Sequence, residues 1–208
     1  MKVLYIESKL KNKNFSLTEK EIDKLPKEIY LFYTIQYKGI AESIKKILEK
    51  KITLLGFQQV LGCTILGYKK DSAVLLISSG RFHALNLFSQ FNKIFVFENN
   101  KIIKIPNEEI KKFRLKRKAA LIKFLRAKKI GILVSTKIGQ SNLNLALSLK
   151  QKLEKSGKEC YIFLSNKIDI NQFENFDIES WVNTACSGLI LDSPAIINYY
   201  EILKIKKF

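Results

Sequence analysis

Residues 131–164, GILVSTKIGQSNLNLALSLKQKLEKSGKECYIFL, contain a complete strand–helix–strand pattern. The β-branched and aromatic runs at residues 131–135 and 160–164 are typical of buried strands. Between them, apolar residues recur with the period of an α-helix, and Ser156 and Gly157 mark its end. Because strands that are joined through a helix usually run parallel, this stretch predicts an α/β fold with a parallel sheet.

The same alternation continues through the rest of the chain. An amphipathic helix is predicted at residues 40–48, where the apolar side chains share one face. Further buried strands are predicted at residues 3–7, 28–35, 73–78, 93–97 and 181–185. The predicted fold class is therefore α/β, with two similar lobes, each a small mostly parallel sheet flanked by helices.

Residues 107–128 are predicted to form a long basic helix that joins the two lobes. This stretch follows Pro106, carries an apolar stripe at helical spacing and is rich in Lys and Arg. It places one domain at residues 1–106 and the other at residues 129–208. Its basic face is a candidate RNA contact, although a solvated helix face is the commoner meaning of such a pattern.

The composition excludes several classes of protein. The 208 residues include 37 Lys or Arg and 19 Asp or Glu, for a net charge of +18. Only four of these residues are Arg, so the charge favours solubility and predicts no specific nucleic-acid recognition. A hydrophobic content of 47% excludes intrinsic disorder, and no apolar run is long enough to span a bilayer. Three widely spaced cysteines form no disulfide framework, which favours a cytoplasmic location.

Four loops remain as candidate sites, each beyond a predicted strand, where parallel sheets build their binding sites. A zinc motif, a P-loop and a G-x-G-x-x-G turn are all absent from the sequence. The loops are GFQQVLGCT (56–64), SSGRFHAL (78–85), STKIGQ (135–140) and ACSGL (185–189). By composition alone, the cysteines in them could also be small core residues, and Cys160, at the start of a strand, is interpreted as one.

At these loops the sequence resembles the archaeal and eukaryotic diphthamide synthase subunits, the 2-(3-amino-3-carboxypropyl)histidine synthases. The matching segments occur in the family's order and strand context, over about residues 1–192. They are TIQY (34–37), VLGC (60–63), SGRFH (79–83), VSTKIGQ (134–140) and AC (185–186). The resemblance covers only the family's middle and C-terminal lobes.

The resemblance implies a site and an activity. In this family, three α/β lobes each donate one cysteine to a [4Fe–4S] cluster, and the open iron position binds S-adenosylmethionine (SAM). Cys63 and Cys186 match two of the metal ligands, and Ser135, Gln140 and His83 match residues near the cofactor. The family transfers a 3-amino-3-carboxypropyl group from SAM to a histidine of translation elongation factor 2 by radical chemistry, the first step of diphthamide biosynthesis.

The sequence departs from the family pattern in ways that matter for the site. The first lobe and its cysteine are missing, so a third cluster ligand is expected from another chain. The family's A-C-P-R segment is ACSG here, and Tyr37 stands where the family has a histidine. The missing lobe also predicts exposed apolar residues beside Cys63 and Cys186, and association with a partner or as a homodimer.

These observations predict the C-terminal part of a split diphthamide synthase. Such a transferase subunit would need a separately encoded N-terminal lobe or a full synthase subunit as its partner. The alternative is a non-catalytic or electron-transfer subunit of a heteromeric synthase. A further alternative is a basic α/β module that binds RNA or the ribosome.

Overall fold

The computed structural model describes residues 4, 6–10, 14–80, 82–169, 172, 175–190 and 195–203. The chain divides into two compact units, residues 1–113 and 114–208. Each unit contains its own mostly parallel sheet with flanking helices, which confirms the predicted fold class. The predicted domain limits at residues 106 and 129 stay a proposal.

The first unit contains a five-stranded sheet with the order β2-β1-β3-β4-β5. All neighbouring pairs are parallel except β4 and β5, which are antiparallel. The strands are β1 (Glu28–Tyr33), β2 (Thr53–Gln59), β3 (Ala73–Ile77), β4 (Lys93–Glu98) and β5 (Lys101–Lys104). The helices are α1 (Glu19–Ile22), α2 (Lys38–Leu48), α3 (Phe82–Phe88) and the first part of α4 (Asn107–Arg126).

Two apolar clusters cover the faces of this sheet. On one face, α2 packs Ile44 and Leu48 against β1 and β3. On the other face, α3 and the start of α4 pack around Phe88 and Phe91. All five residues of β3 are buried, as expected for a central strand with helices on both sides.

The second unit contains a four-stranded parallel sheet with the order β7-β6-β8-β9. The strands are β6 (Lys129–Ser135), β7 (Glu159–Ser165), β8 (Ser180–Asn183) and β9 (Ile196–Asn198), and the helices are the rest of α4, α5 (Leu143–Lys155) and α6 (Tyr199–Ile202). Side chains of α4 and α5, including Phe124 and Leu153, cover one face of the sheet. On the other face Leu133, Trp181 and Ile196 form a smaller cluster.

Several sequence predictions need correction. The strand predicted at residues 3–7 is wrong for the positions that the structure describes, because Leu4, Ile6 and Glu7 pair with no strand. Leu4 and Ile6 are 85% and 84% exposed, so nothing buries their apolar side chains. Residues 3 and 5 lie outside the described part of the chain. The strand predicted at residues 181–185 ends at Asn183. The Asn183 side chain accepts a hydrogen bond from Ala185 N–H, which stabilises a turn at this point.

The predicted loops at residues 56–64 and 78–85 are partly regular structure. Residues 56–59 belong to β2, because they pair in parallel with residues 30–33 of β1. Helix α3 begins at Phe82, soon after Gly80, whose φ of 68° turns the chain out of the sheet. Strands β5 and β9 were also not predicted, since they are only four and three residues long. Among the helices that the structure describes, none has the length and hydrophobicity of a membrane span.

Candidate functional site

Cys63 is exposed in a short turn that follows β2. Leu61 N–H donates a hydrogen bond to the Thr64 hydroxyl at 2.8 Å, and Thr64 N–H donates to the Leu61 carbonyl at 3.1 Å. These two bonds close the turn on either side of the cysteine. Leu61 and Ile65 are 56% and 61% exposed, so the apolar residues predicted to be exposed beside this thiol are present.

His83 lies in the first turn of α3, directly after the carboxyl end of β3. The ring is half-buried, and this burial lowers the pKa of His83 below its ordinary value. At neutral pH the imidazole is therefore uncharged and suited to hydrogen bonding rather than to ion pairing. Arg81, the neighbouring residue of the SGRFH segment, lies outside the described part of the chain.

Helix α3 also links His83 to the Cys63 turn. The Asn86 side chain donates to the Thr64 carbonyl at 2.8 Å, and the Gln90 side chain donates to the same oxygen at 3.0 Å. The α3 segment that carries His83 is therefore hydrogen-bonded to the turn that carries Cys63. The bonds come from Asn86 within α3 and from Gln90 just after it. Between their strands, β3 and β2, lies only β1.

Cys186 is half-buried in the loop between β8 and a 3₁₀ turn at Ser187–Ile190. The side-chain amide of Asn183, at the end of β8, makes two hydrogen bonds to the backbone of this loop. Its oxygen accepts from Ala185 N–H at 3.0 Å, and its nitrogen donates to the Cys186 carbonyl at 2.9 Å. The thiol therefore sits on a loop whose backbone is fixed close to the end of the sheet.

Ser135 and Gln140 lie in the loop after β6, the strand next to β8. Ser135 is 2% exposed, and its hydroxyl accepts from Lys137 N–H at 3.1 Å. Gln140 closes the same loop through an N–H bond to the Lys137 carbonyl at 3.0 Å, and it remains half-exposed. Ser135 therefore shapes the loop, whereas Gln140 is accessible to a ligand.

The second unit brings this loop and the Cys186 loop together. Asn142, just before α5, donates to the Thr184 carbonyl at 2.7 Å. The Thr184 hydroxyl donates in turn to the Leu133 carbonyl of β6 at 2.8 Å. Three of the five predicted site residues, Ser135, Gln140 and Cys186, thus share the carboxyl edge of one sheet.

Cys160 differs from the other two cysteines. It is 3% exposed within β7, and burial raises the pKa of its thiol to about 11. At neutral pH Cys160 therefore stays protonated, as expected for a core residue. Cys63 and Cys186, by contrast, have the accessibility and soft donor atoms that iron–sulfur clusters require. In the described part of the chain, no three His, Cys, Asp or Glu side chains lie close enough together to hold a metal ion.

Sequence reasoning missed the amide side chains that support the two cysteine turns: Asn86, Gln90, Asn142, Asn183 and Asn198. Asn and Gln are common on protein surfaces, so their presence alone carries little signal. The four-residue spacing of Asn86 and Gln90 was the available clue, because it places both amides on one side of a helical turn.

Comparisons with known proteins point to one family. A family model described as "Putative diphthamide synthesis protein" matches residues 1–203. The 2-(3-amino-3-carboxypropyl)histidine synthase of Pyrococcus horikoshii is 30% identical over 187 residues, covering 83% of this chain and 54% of the relative. The enzyme of that name from Methanocaldococcus jannaschii is 28% identical, covering 80% and 46%. A Dictyostelium discoideum relative is named as subunit 1 of this synthase and is 23% identical over 97% of this chain and 48% of its own length.

Solved structures agree with the sequence comparisons. Dph2 from Pyrococcus horikoshii superimposes with a TM-score of 0.72 and 27% identity, covering 88% of this chain and 58% of that one. The same values hold for the Pyrococcus protein solved with a 4Fe-4S cluster. The chain spans about half the length of the curated relatives that it matches.

Proposed function

The chain belongs to the diphthamide synthesis family, and we propose that it is the C-terminal part of a split diphthamide synthase. It would transfer a 3-amino-3-carboxypropyl group from SAM to a histidine of translation elongation factor 2, together with a separately encoded N-terminal lobe or a full synthase subunit. One observation carries this proposal. Each α/β unit presents one accessible thiol beyond a parallel strand, in a chain similar to a protein solved with a 4Fe-4S cluster.

Cys63 and Cys186 are the proposed ligands of a [4Fe–4S] cluster. Their thiolates are the ligand type that such clusters use, and neither thiol is buried in a core. The family uses three cysteine ligands and only two of them have matches in this chain, so the proposal requires a third cysteine from the partner chain. When bound, the cluster would supply the electron that cleaves SAM.

Ser135, Gln140 and His83 are proposed to act on the SAM side of the site. The half-exposed Gln140 amide offers both a donor and an acceptor for the polar methionyl end of SAM. Ser135 would act indirectly, by holding the Gln140 loop through its bond to Lys137 N–H. Neutral His83 would contribute a hydrogen bond without placing a second positive charge beside the SAM sulfonium.

Anaerobic iron–sulfur reconstitution tests this proposal. The chain is co-expressed with the candidate partner lobe, and iron and sulfide are measured in the purified complex. Cys63→Ala and Cys186→Ala should each reduce the cluster content to background, whereas Cys160→Ala, the matched control, should leave it unchanged. Unchanged cluster content in both of the first two variants would show that these thiols are not ligands.

The departures from the family pattern favour a second candidate, a non-catalytic or electron-transfer subunit. Ser187 and Gly188 replace the Pro and Arg that follow the family's last cysteine, and Tyr37 replaces a histidine. This candidate predicts a stable complex in which Cys63→Ala and Cys186→Ala leave the modification of elongation factor 2 intact. Mass spectrometry of the substrate histidine in the co-expressed complex distinguishes the two candidates.

A further inference from the structure

We infer that two pairs of carboxamide side chains act as positioning residues for the two cysteine turns. Asn86 and Gln90 hold the Cys63 turn, and Asn183 and Asn198 hold the Cys186 turn. The inference rests on the proposed function for what the thiols bind. The positioning itself is a property of the metal-free chain and is tested there.

In the first unit, two amides converge on one backbone oxygen. Asn86 Nδ2 and Gln90 Nε2 donate to the Thr64 carbonyl at 2.8 Å and 3.0 Å, which occupies both of its lone pairs. Gln90 Oε1 also accepts from Leu66 N–H at 2.6 Å. The backbone on the C-terminal side of Cys63 is therefore held at the Thr64 carbonyl and at Leu66 N–H. A change in the conformation of this turn would break several hydrogen bonds.

In the second unit, two asparagines face each other at paired positions of β8 and β9. Asn183 and Asn198 are 2% and 3% exposed, and Asn183 Nδ2 donates to Asn198 Oδ1 at 2.9 Å. Asn183 uses its remaining capacity on Ala185 N–H and the Cys186 carbonyl. Asn198 Nδ2 donates to the Tyr200 hydroxyl at 3.1 Å, so the asparagine that supports Asn183 is itself held in place.

The choice of amides has a chemical reason. Gln90 and Asn183 each need a donor and an acceptor on one neutral side chain, because each bonds to a backbone carbonyl and to a backbone N–H at once. A carboxylate could not donate to the carbonyls and would place a charge in a buried position. Ordering the turns during folding leaves less conformational entropy to be lost when a ligand binds the thiols.

In each pair, the test substitutes the residue that makes no hydrogen bond to the backbone N–H whose exchange is measured. Asn86→Ala is read at Leu66 N–H, which is held by Gln90, and Asn198→Ala is read at Ala185 N–H, which is held by Asn183. Amide hydrogen exchange at these two sites and alkylation rates of Cys63 and Cys186 are measured on the full metal-free chain under anaerobic conditions. Asn144→Ala, at an exposed position of α5, is the matched control.

We expect each variant to loosen its own turn only. Asn198→Ala should raise exchange at Ala185 and alkylation of Cys186 about tenfold and leave Leu66 and Cys63 unchanged. Asn86→Ala should raise exchange at Leu66 and leave the Ala185 site unchanged. Where Asn198→Ala lowers the melting temperature strongly, Asn198→Ser replaces it, because serine stays polar but is too short to reach Asn183.

Two results would overturn the inference. One is unchanged exchange at both sites in these variants. The other is equal loosening of both turns by either variant, which would indicate a global loss of stability. Iron loading of the co-expressed complex then separates the two proposals: if the wild-type chain binds no cluster while the turns respond as expected, the proposed function fails and the positioning stands. Full cluster content despite loosened turns would remove the positioning role.

Discussion

At the scale of single residues, the three cysteines show how the fold sorts chemically identical side chains. Cys160 is one of the inward-facing residues of β7, whereas Cys63 and Cys186 lie in turns beyond strands. The prediction of Cys160 as a core residue is confirmed, because the residue is 3% exposed. The sequence allowed this prediction because Cys160 stands at the start of a hydrophobic strand. The roles of Cys63 and Cys186 depended on the family resemblance, since a short polar turn has no periodic pattern.

The raised pKa of Cys160 predicts a loss of stability at alkaline pH. An unfolded thiol ionises near pH 9.0, whereas the folded thiol holds its proton to about pH 11. Between these values the unfolded state binds fewer protons, so the free energy of unfolding falls as pH rises, by at most about 1.4 kcal/mol per pH unit. Below pH 9 the contribution is fully present.

Urea unfolding at several pH values checks this expectation. Other groups also titrate in this range, so the relevant quantity is the difference in unfolding free energy between the wild-type chain and Cys160→Ala. The stability of the wild type relative to Cys160→Ala should fall as the pH rises from about 9 to 11. A difference that stays constant over this range would show that the Cys160 proton does not contribute.

At the scale of elements, the β6 strand depends on a glycine. A Cβ added to Gly131 would lie 2.3 Å from Trp181 Cε3, and Trp181 is only 4% exposed. The indole cannot easily move, because it also packs edge-to-face on Phe163 with ring centroids 4.8 Å apart. Gly131→Ala should therefore lower the free energy of unfolding by about 1–3 kcal/mol, as overpacked cores do.

A second glycine provides the control for this substitution. A Cβ at Gly39, in the first turn of α2, would meet nothing within 4 Å. Gly39→Ala should be neutral or stabilise the chain by about 0.5 kcal/mol, because alanine loses less backbone entropy in a helix. Chemical denaturation of both variants measures the contrast, and equal effects would contradict the packing argument.

The ion pair between α4 and α6 is a second element-scale feature. Arg117 bonds to both oxygens of Glu201, with Nη2–Oε2 at 2.6 Å and Nε–Oε1 at 3.0 Å, and both side chains are less than one-fifth exposed. Glu201 Oε2 also accepts from Asn198 N–H at 2.9 Å, which caps α6. This pair therefore supports the end of β9 that carries Asn198.

Breaking this ion pair should destabilise the second unit. Arg117→Met leaves a largely buried carboxylate without its main partner, and we expect a loss of about 2–3 kcal/mol in unfolding free energy. Lys51→Met is the matched control, because its pair with Glu19 is exposed to solvent and should contribute far less to the free energy of unfolding. Adding Glu201→Gln to Arg117→Met should recover part of the loss, and thermal unfolding of all three variants measures this.

The elements also show where sequence reasoning ends. The β6–α5–β7 segment was predicted nearly to its bounds, because hydrophobic periodicity is a local signal that core packing reinforces. The supports of the cysteine turns were not predicted. Asn183 and Asn198 meet only because β8 and β9 pair in one register. That pairing joins residues fifteen positions apart, so local sequence patterns do not encode it.

At the scale of the whole molecule, the two-unit architecture and the length of the relatives can both be compared with the sequence predictions. The sequence predicted two α/β lobes, and the structure contains two compact α/β units. The family relatives are about twice as long as the matched region, which agrees with a resemblance limited to two lobes. The identity of a third cluster ligand cannot follow from this sequence, because the proposal places it on another chain.

The net charge of +18 yields the remaining prediction, which concerns RNA. Most of the 37 basic residues are Lys, whose flexible ammonium groups attract phosphate without reading bases. We expect weak binding to single-stranded RNA that falls at least about tenfold between 50 and 200 mM salt, because phosphate contacts release counterions. Fluorescence anisotropy with two unrelated RNAs of equal length should give similar affinities at each salt concentration. A preference above about tenfold for one RNA would instead support the RNA-binding alternative, because only base contacts distinguish sequences. Binding that does not change between low and moderate salt would remove that alternative, because phosphate contacts release counterions.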